Sequence, residues 1–323
     1  MLPAGQDATT MADDEVQIRP AAPEDRAQVL RLAARALGWA DDERDRAYFA
    51  WKHDENPFGA SPAWVAVDAG QVIAFRTFLR WALEGPGGER LEVVRAVDTA
   101  TDPAHQGRGL FRRLTLGAVA DLTAAGVDAV FNTPNEQSRP GYLKMGWHQL
   151  GRPTLGVLPA TIGRAGVLRQ ARTAAEKWSE ACRIGEPAGD VLAGLSTVPG
   201  PVVGRRRWAT PRTTAYLSWR YGFAPLHYRV VEAGGGLVVF RVRGRGGARE
   251  VAIVEWLARP DPRALRRLVR QAGDYAVGVG IGPRHGLLPV PRQGPIVTWR
   301  PLARTEVPKL RSLAFGLGDL ELL

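Results

Sequence analysis

Apolar positions along the first part of the chain follow two periods in turn. Leu30, Ala33, Ala34 and Leu37 share one helical face. Pro23-Glu24-Asp25 before them suits a first helical turn, and Gly38 after them ends it. A second helix is predicted over about 41–51, broken by Asn56-Pro57-Phe58-Gly59. Residues 63–68 then alternate, with Trp64, Ala66 and Asp68 on one side and Val65 and Val67 on the other, as a half-buried strand does. Ala69-Gly70 turns the chain into a second strand over 72–79, and Gly85-Pro86-Gly87-Gly88 leads to a third over 91–101. After Pro103 the period becomes helical, with Leu110, Leu114, Ala118 and Leu122 on one face and Phe111 and Val119 beside them. A short buried strand follows over 127–132, and then a weaker helix over 136–145, interrupted by Pro140-Gly141.

The later chain repeats this order. Tyr48-Phe49-Ala50-Trp51-Lys52-His53 is echoed 168 residues on by Tyr216-Leu217-Ser218-Trp219-Arg220-Tyr221. Each copy runs on through a proline, Pro57 or Pro225, into a hairpin that reaches Ala74-Phe75-Arg76 or Val239-Phe240-Arg241. Each then meets an Asp-Pro pair, Asp102-Pro103 or Asp261-Pro262, and a helix, in the second copy over 264–272. This reads as two domains of one fold, made by duplication. The division is a loose tail over 1–15, a first domain over 16–155, a linker with a basic helix (about 162–183) over 156–210, and a second domain over 211–323.

Composition adds limits. With 45% hydrophobic and 24% charged residues in 323, the chain is globular and is neither disordered nor collagenous. The net charge of +10 is nearly all arginine, as GC-rich coding tends to give. It favours steering of an anionic small ligand, and no nucleic-acid partner is expected. Cys182 is the single cysteine, which excludes an internal disulfide and an all-cysteine metal site and fits a reducing cytoplasm. No run of about 18 apolar residues occurs, so no membrane partner is expected. Residues 1–15 lack the cationic start and apolar stretch of a secretory signal.

The chemistry concentrates where the third strand turns into its helix. His105-Gln106-Gly107-Arg108-Gly109-Leu110-Phe111 places two glycines before a helix N-terminus, where unpaired N–H groups and a partial positive charge attract phosphate. The second copy has Arg263-Ala264-Leu265-Arg266-Arg267 there and no glycine, so a glycine-dependent site can exist only in the first. Neither a Walker-type loop nor a complete Rossmann fingerprint is present.

The order of Thr99 to Phe111, the strand over 127–132, and Asn135 to Trp147 resembles the GNAT superfamily of acyl-CoA-dependent N-acetyltransferases. Gln106-Gly107-Arg108-Gly109-Leu110-Phe111 matches that family's pyrophosphate motif, except that Phe111 replaces a small residue. Tyr142-Leu143-Lys144-Met145-Gly146-Trp147, with Asn135 upstream, matches its tyrosine-glycine-aromatic mark. Pro103, His105, Gly109 and Leu110 also look like the Eis-type tandem acetyltransferases, which carry a further C-terminal domain that this chain is too short to hold. The resemblance covers 16–155 directly and 211–323 through the repeat.

It implies an α/β (α+β) architecture of two GNAT-like domains, each a mixed, mostly antiparallel sheet flanked by helices, the second degenerate. The first sheet would splay between its fourth and fifth strands. Thr99, Ala100 and Thr101 would pair with pantetheine there. Gln106, Gly107, Arg108, Gly109, Leu110 and Phe111 would hold the pyrophosphate, with Asn135 nearby. Acetyl-CoA would be the co-substrate, no metal would be needed, and a small-molecule or peptide amine would attack the thioester directly. Tyr142 is the expected general acid. Asp98 is the first expectation for the base, beside Glu136, His148 and a water chain. Trp39, Trp51, Phe58 and Trp64 either line an acceptor pocket or belong to the core. A homodimer is compatible with all of this. Two other readings stand beside the enzyme: a non-catalytic acyl-CoA sensor, and an aminoacyl-tRNA-dependent ligase of tandem GNAT fold.

Overall fold

A computed structural model describes residues 16–161, 163, 166–167, 173–199 and 207–321. The chain starts with β1 (Gln17–Pro20), α1 (Arg26–Leu37) and α2 (Glu43–His53). Three long antiparallel strands follow, β2 (Ala63–Asp68), β3 (Gln71–Glu84) and β4 (Arg90–Thr101). Next come α3 (Leu110–Ala124), β5 (Ala129–Asn132), α4 (Arg139–Lys144) and β6 (His148–Gly151). Strand β3 runs well past the expected 72–79, because its register with β4 holds from Ala74↔Thr101 to Glu84↔Arg90 before the glycine turn. Helix α4 begins later than expected, because Asn135 ties residues 137 and 138 into a turn ahead of it.

The chain continues with β7 (Leu155–Pro159), β8 (Glu186–Pro187), α5 (Ala188–Ala193), α6 (Thr214–Gly222), β9 (Arg229–Ala233), β10 (Gly236–Arg245) and β11 (Ala248–Leu257). It ends with α7 (Pro262–Ala272), β12 (Tyr275–Val279), β13 (Leu288–Val290), β14 (Val297–Pro301) and α8 (Leu317–Leu320). The tail over 1–15 and part of the expected basic helix lie outside the described residues. Residues 173–183 are not helical. Lys177 turns inward instead, 2.6 Å from Asp45 and over the rings of Trp39 and Tyr48.

Among the described residues the strands form two seven-stranded sheets of one topology, β1-β2-β3-β4-β5-β14-β6 and β8-β9-β10-β11-β12-β7-β13. Each is mixed and mostly antiparallel, with one parallel pair: β4 with β5 and β11 with β12. The sixth position of each sheet is filled from the other half of the sequence. Strand β14 lies between β5 and β6, and β7 lies between β12 and β13. The sequence boundaries near 155 and 211 therefore differ from the division between sheets. Sequence alone does not reveal this, because any alternating apolar segment can join either sheet.

Helices α2 and α6, which carry the repeated motif, meet between the sheets. Trp51 Nε1 donates to the Trp219 carbonyl at 2.7 Å, and Trp219 Nε1 donates to the Trp51 carbonyl at 2.7 Å. The two rings stack with centroids 5.5 Å apart. Both residues are buried, so each indole N–H needs this acceptor. The repeat is thus a pseudo-twofold clasp. Arg95 on β4 reaches across the same interface to the carbonyls of Asp319 and Leu320. No described helix is long and apolar enough to cross a membrane.

Replacing Trp219 by Phe removes one indole donor and leaves the buried Trp51 carbonyl without it. We expect a loss of roughly 1–3 kcal/mol in urea-induced unfolding. An unchanged midpoint would show that the clasp adds nothing.

Candidate active site

The first sheet opens where β4 and β5 separate. They pair in parallel at Val93↔Ala129, Val94↔Val130 and Arg95↔Phe131, and no further. Strand β4 continues to Thr101 with only β3 beside it, so its other edge faces a cleft of about 930 Å³. Strand β5 ends at Asn132, and Pro134 two residues on has no N–H with which to extend the pairing.

Most residues expected at the site line this cleft. Asp98, Thr99, Ala100 and Thr101 form one wall. Gln106, Gly107, Gly109, Leu110 and Phe111 form its end, and Asn135 and Tyr142 lie opposite. Gly107 and Gly109 have φ of 80° and 69°, and a Cβ built on either meets no atom within 4 Å. The turn is therefore left-handed and bare, as an anion cradle requires. No side chain caps the first turn of α3. In the second copy the Asp261 carboxylate accepts from the backbone N–H of Arg263 and Ala264, both at 3.0 Å, and fills the corresponding place. The second sheet opens likewise, into a cavity of about 530 Å³, but its helix N-terminus is already neutralised.

Arg108 departs from the expectation. Its guanidinium pairs with Asp68 at 2.9 Å, and it is not among the cleft-lining residues. Only its peptide group belongs to the turn. Asn135 also has a local task, since its Oδ1 accepts from the N–H of Gln137 and Ser138 and from the Ser138 hydroxyl. Phe111 is accommodated because its ring turns onto α4. It meets Tyr142 edge-on at 5.4 Å, and a Cβ at Gly141 would sit 3.4 Å from it.

Tyr142 is buried between Phe111 and Trp147, whose ring centroid is 5.1 Å away. Trp147 N–H bonds back to the Tyr142 carbonyl, which explains the spacing of the tyrosine-glycine-aromatic mark. The phenol oxygen accepts from Arg76 Nη2 at 2.6 Å. Among the described residues nothing accepts the phenol proton, so the hydroxyl can donate into the cleft. Sequence reading passed over Arg76, which looks like one more arginine on a strand.

Asp98 sits at the irregularity in the β3–β4 register, with φ of 37°. Its Oδ2 lies 2.8 Å from Lys52 Nζ and 2.7 Å from His53 Nε2, both side chains buried. Burial alone would raise this carboxyl. The Lys52 ammonium and the His53 hydrogen bond outweigh it and hold the group well below the usual carboxylate range. An ionised Asp98 only accepts, so His53 Nε2 carries the hydrogen. Burial lowers His53 itself, against the pull of Asp98. A carboxylate held this way has little affinity for an amine's proton, and the geometry argues against Asp98 as the base. It stabilises the left-handed kink of β4 instead.

Glu136 and His148 are exposed outside the cleft, Glu136 paired with Arg139 at 2.6 Å. Trp51 and Trp64 are buried in two different core clusters, and Trp39 and Phe58 pack on the core's edge. None of the four lines the cleft. No group of three or more His, Cys, Asp or Glu able to hold a metal occurs among the described residues.

Residues 17–150 match the family model described as an acetyltransferase (GNAT) domain. This part of the chain is a GNAT acetyltransferase domain. Solved structures share the fold over most of the length. A probable N-acyltransferase from Enterococcus faecalis V583 is 14% identical, with TM-score 0.60, covering 90% of this chain and 73% of that one. A GCN5-related N-acetyltransferase from Kribbella flavida is 16% identical, with TM-score 0.57, covering 89% and 72%. Eis1 from Mycobacterium abscessus is 17% identical, with TM-score 0.53, covering 91% and 77%. No curated protein matches the sequence. The GNAT domain thus holds the open cleft, and the remainder supplies the sheet's sixth strand and the Trp219 side of the clasp.

Asp98→Asn leaves the buried Lys52 without that carboxylate and is expected to cost roughly 3–5 kcal/mol at pH 7. Because the folded carboxyl lies below its unfolded value near 4, its contribution is full above about pH 4 and fades as pH falls further. Unfolding of wild type and variant should therefore converge below about pH 4; a constant gap would contradict the ion-pair assignment.

Proposed function

We propose that the chain is an acyl-CoA-dependent N-acetyltransferase, moving an acetyl group from acetyl-CoA to a primary amine by direct attack. The bare glycine turn, opening onto the unpaired edge of β4 with Tyr142 opposite, carries this reading. The peptide edge over 99–101 suits the amides of pantetheine. The amides over 107–111 and the free N-terminus of α3 suit a diphosphate. Arg35 also lines the cleft, with its guanidinium paired to Asp102 at 2.9 Å. In this reading the first sheet, completed by β14, is the catalytic unit, and the second sheet is a degenerate copy that supports it.

The acceptor nitrogen attacks the thioester carbon, the C–S bond breaks, and the departing sulfur takes the phenol proton of Tyr142. The nitrogen gives its proton to water in the cleft, which also returns one to the phenol. The lone Cys182 lies outside the cleft, so no acyl-cysteine step is invoked. The acceptor is a small-molecule or peptide amine reached from solvent, and the setting a reducing cytoplasm. An acyl-CoA sensor would use the same cleft but has no need of a phenol with an undirected proton.

Gly109→Asp places a side chain at φ of 69° and a negative charge inside the cradle. Calorimetric titration should show CoA affinity weakened at least about tenfold, or 1.4 kcal/mol. Unchanged affinity would remove the turn from the binding site. Tyr142→Phe should lower kcat by about 10²–10⁴ while CoA still binds; an undiminished rate of CoA release would favour the sensor or another acid.

A further inference from the structure

Two arginines follow matching phenylalanines in the repeated sequence but point to opposite sheet faces, Arg76 toward α3 and Arg241 away from α7, and their surroundings differ. Arg76 follows Phe75 on β3, and Arg241 follows Phe240 on β10; both are fully buried. Arg241 is neutralised by Glu321 Oε1 at 2.7 Å and also donates to the Lys177 carbonyl. Arg76 has no carboxylate within ion-pair distance among the described residues. Its Nη1 donates to Thr99 Oγ1 at 2.9 Å and its Nη2 to the Tyr142 oxygen at 2.6 Å. Its Nε has no acceptor. Three ring faces, of Phe78, Phe111 and Tyr142, lie 4.9–5.2 Å from the guanidinium carbon.

Burying a cation without a counter-charge is unfavourable, and an apolar residue would fill a strand interior at less cost. The fold itself therefore gives no reason for an arginine here. Aromatic faces and two hydroxyl oxygens soften the cost without removing the charge. What the site lacks is an anion, and the reaction creates one at the atom Arg76 already touches.

We propose that Arg76 is the electrostatic partner of Tyr142, a cation fixed in advance to receive the negative charge left on the phenol oxygen after its proton goes to the departing CoA sulfur. The inference rests on Tyr142 being the acid. The N–C bond forms and the C–S bond breaks, the sulfur gains the phenol proton, the guanidinium holds the phenolate, the nitrogen gives its proton to cleft water, and that water returns one to the phenolate. A preorganised charge in a buried setting needs no rearrangement when the phenolate appears. Arg76 acts through Tyr142 and is a positioning residue.

The test measures kcat and CoA affinity for wild type, Arg76→Met, Arg76→Lys, Tyr142→Phe and the double variant Arg76→Met/Tyr142→Phe. The assay uses acetyl-CoA and the amine that wild type turns over fastest in a panel of amino acids, aminoglycosides and lysine peptides. Arg76→Met should lose about 10² in kcat. Arg76→Lys, which keeps the charge, should stay within about tenfold of wild type, and both should bind CoA as wild type does. With Tyr142 already Phe, Arg76→Met should cost little more. Equal losses for Lys and Met, or the same factor in both backgrounds, would overturn the proposal and leave the acid assignment standing. A fully active Tyr142→Phe would overturn both. If Arg76→Met does not fold by circular dichroism, Arg76→Lys alone in the two backgrounds decides: a mild loss confined to the tyrosine background supports the proposal, and a loss present in both refutes it.

Discussion

Everything the first sheet can do follows from the place where β4 and β5 stop sharing hydrogen bonds. Their pairing ends at Arg95, while β4 runs on to Thr101. A strand edge that is neither paired nor covered is usually a liability. Here it is recessed in a cleft, walled by α4 and the turn before α3, so it is presented only to something that fits between. The kink at Asp98 belongs to the same device. Its left-handed backbone is stabilised by a buried carboxylate tied to Lys52 and His53. That trio anchors β4 to α2, the helix that also carries the clasp.

The second sheet acts as an internal comparison. It keeps the sheet order, the parallel pair and the opening between strands. It lacks the bare turn, because α7 starts directly after Asp261, whose carboxylate takes the first amides of the helix. It lacks the unneutralised arginine, because β10 turns Val238, Phe240 and Val242 toward α7. Architecture is thus shared, and the difference between the halves lies in a few residues that leave one helix N-terminus bare and cap the other.

What could be read in the sequence was local. The period of α3, the glycine turn, and Tyr142 with Gly146 and Trp147 announce themselves within short windows, and the structure brings the turn and Tyr142 together in one cleft. The repeat was legible too, as matched tryptophans 168 residues apart, although not that they would bond to each other. What sequence missed is long-range. Nothing near Arg76 names Tyr142, 66 positions away, as its partner. Asp98 reads as a strand acid by the cleft until Lys52 and His53 are seen against it. The basic segment over about 162–183 suggested a helix because its composition is helix-compatible, yet in the described stretch 173–183 Lys177 is drawn inward by Asp45 and aromatic rings.

The exchange of sixth strands bears on how the molecule is made. Strand β6 pairs with β14 alone, and β14 ends at Pro301. During synthesis, β5 therefore emerges early and must wait for nearly all of the remaining chain before its outer edge is closed. Domains commonly fold one after another from the N-terminus. This molecule cannot finish its first unit that way, so the cleft-bearing sheet and its quiet twin should reach completion together, as a single late event.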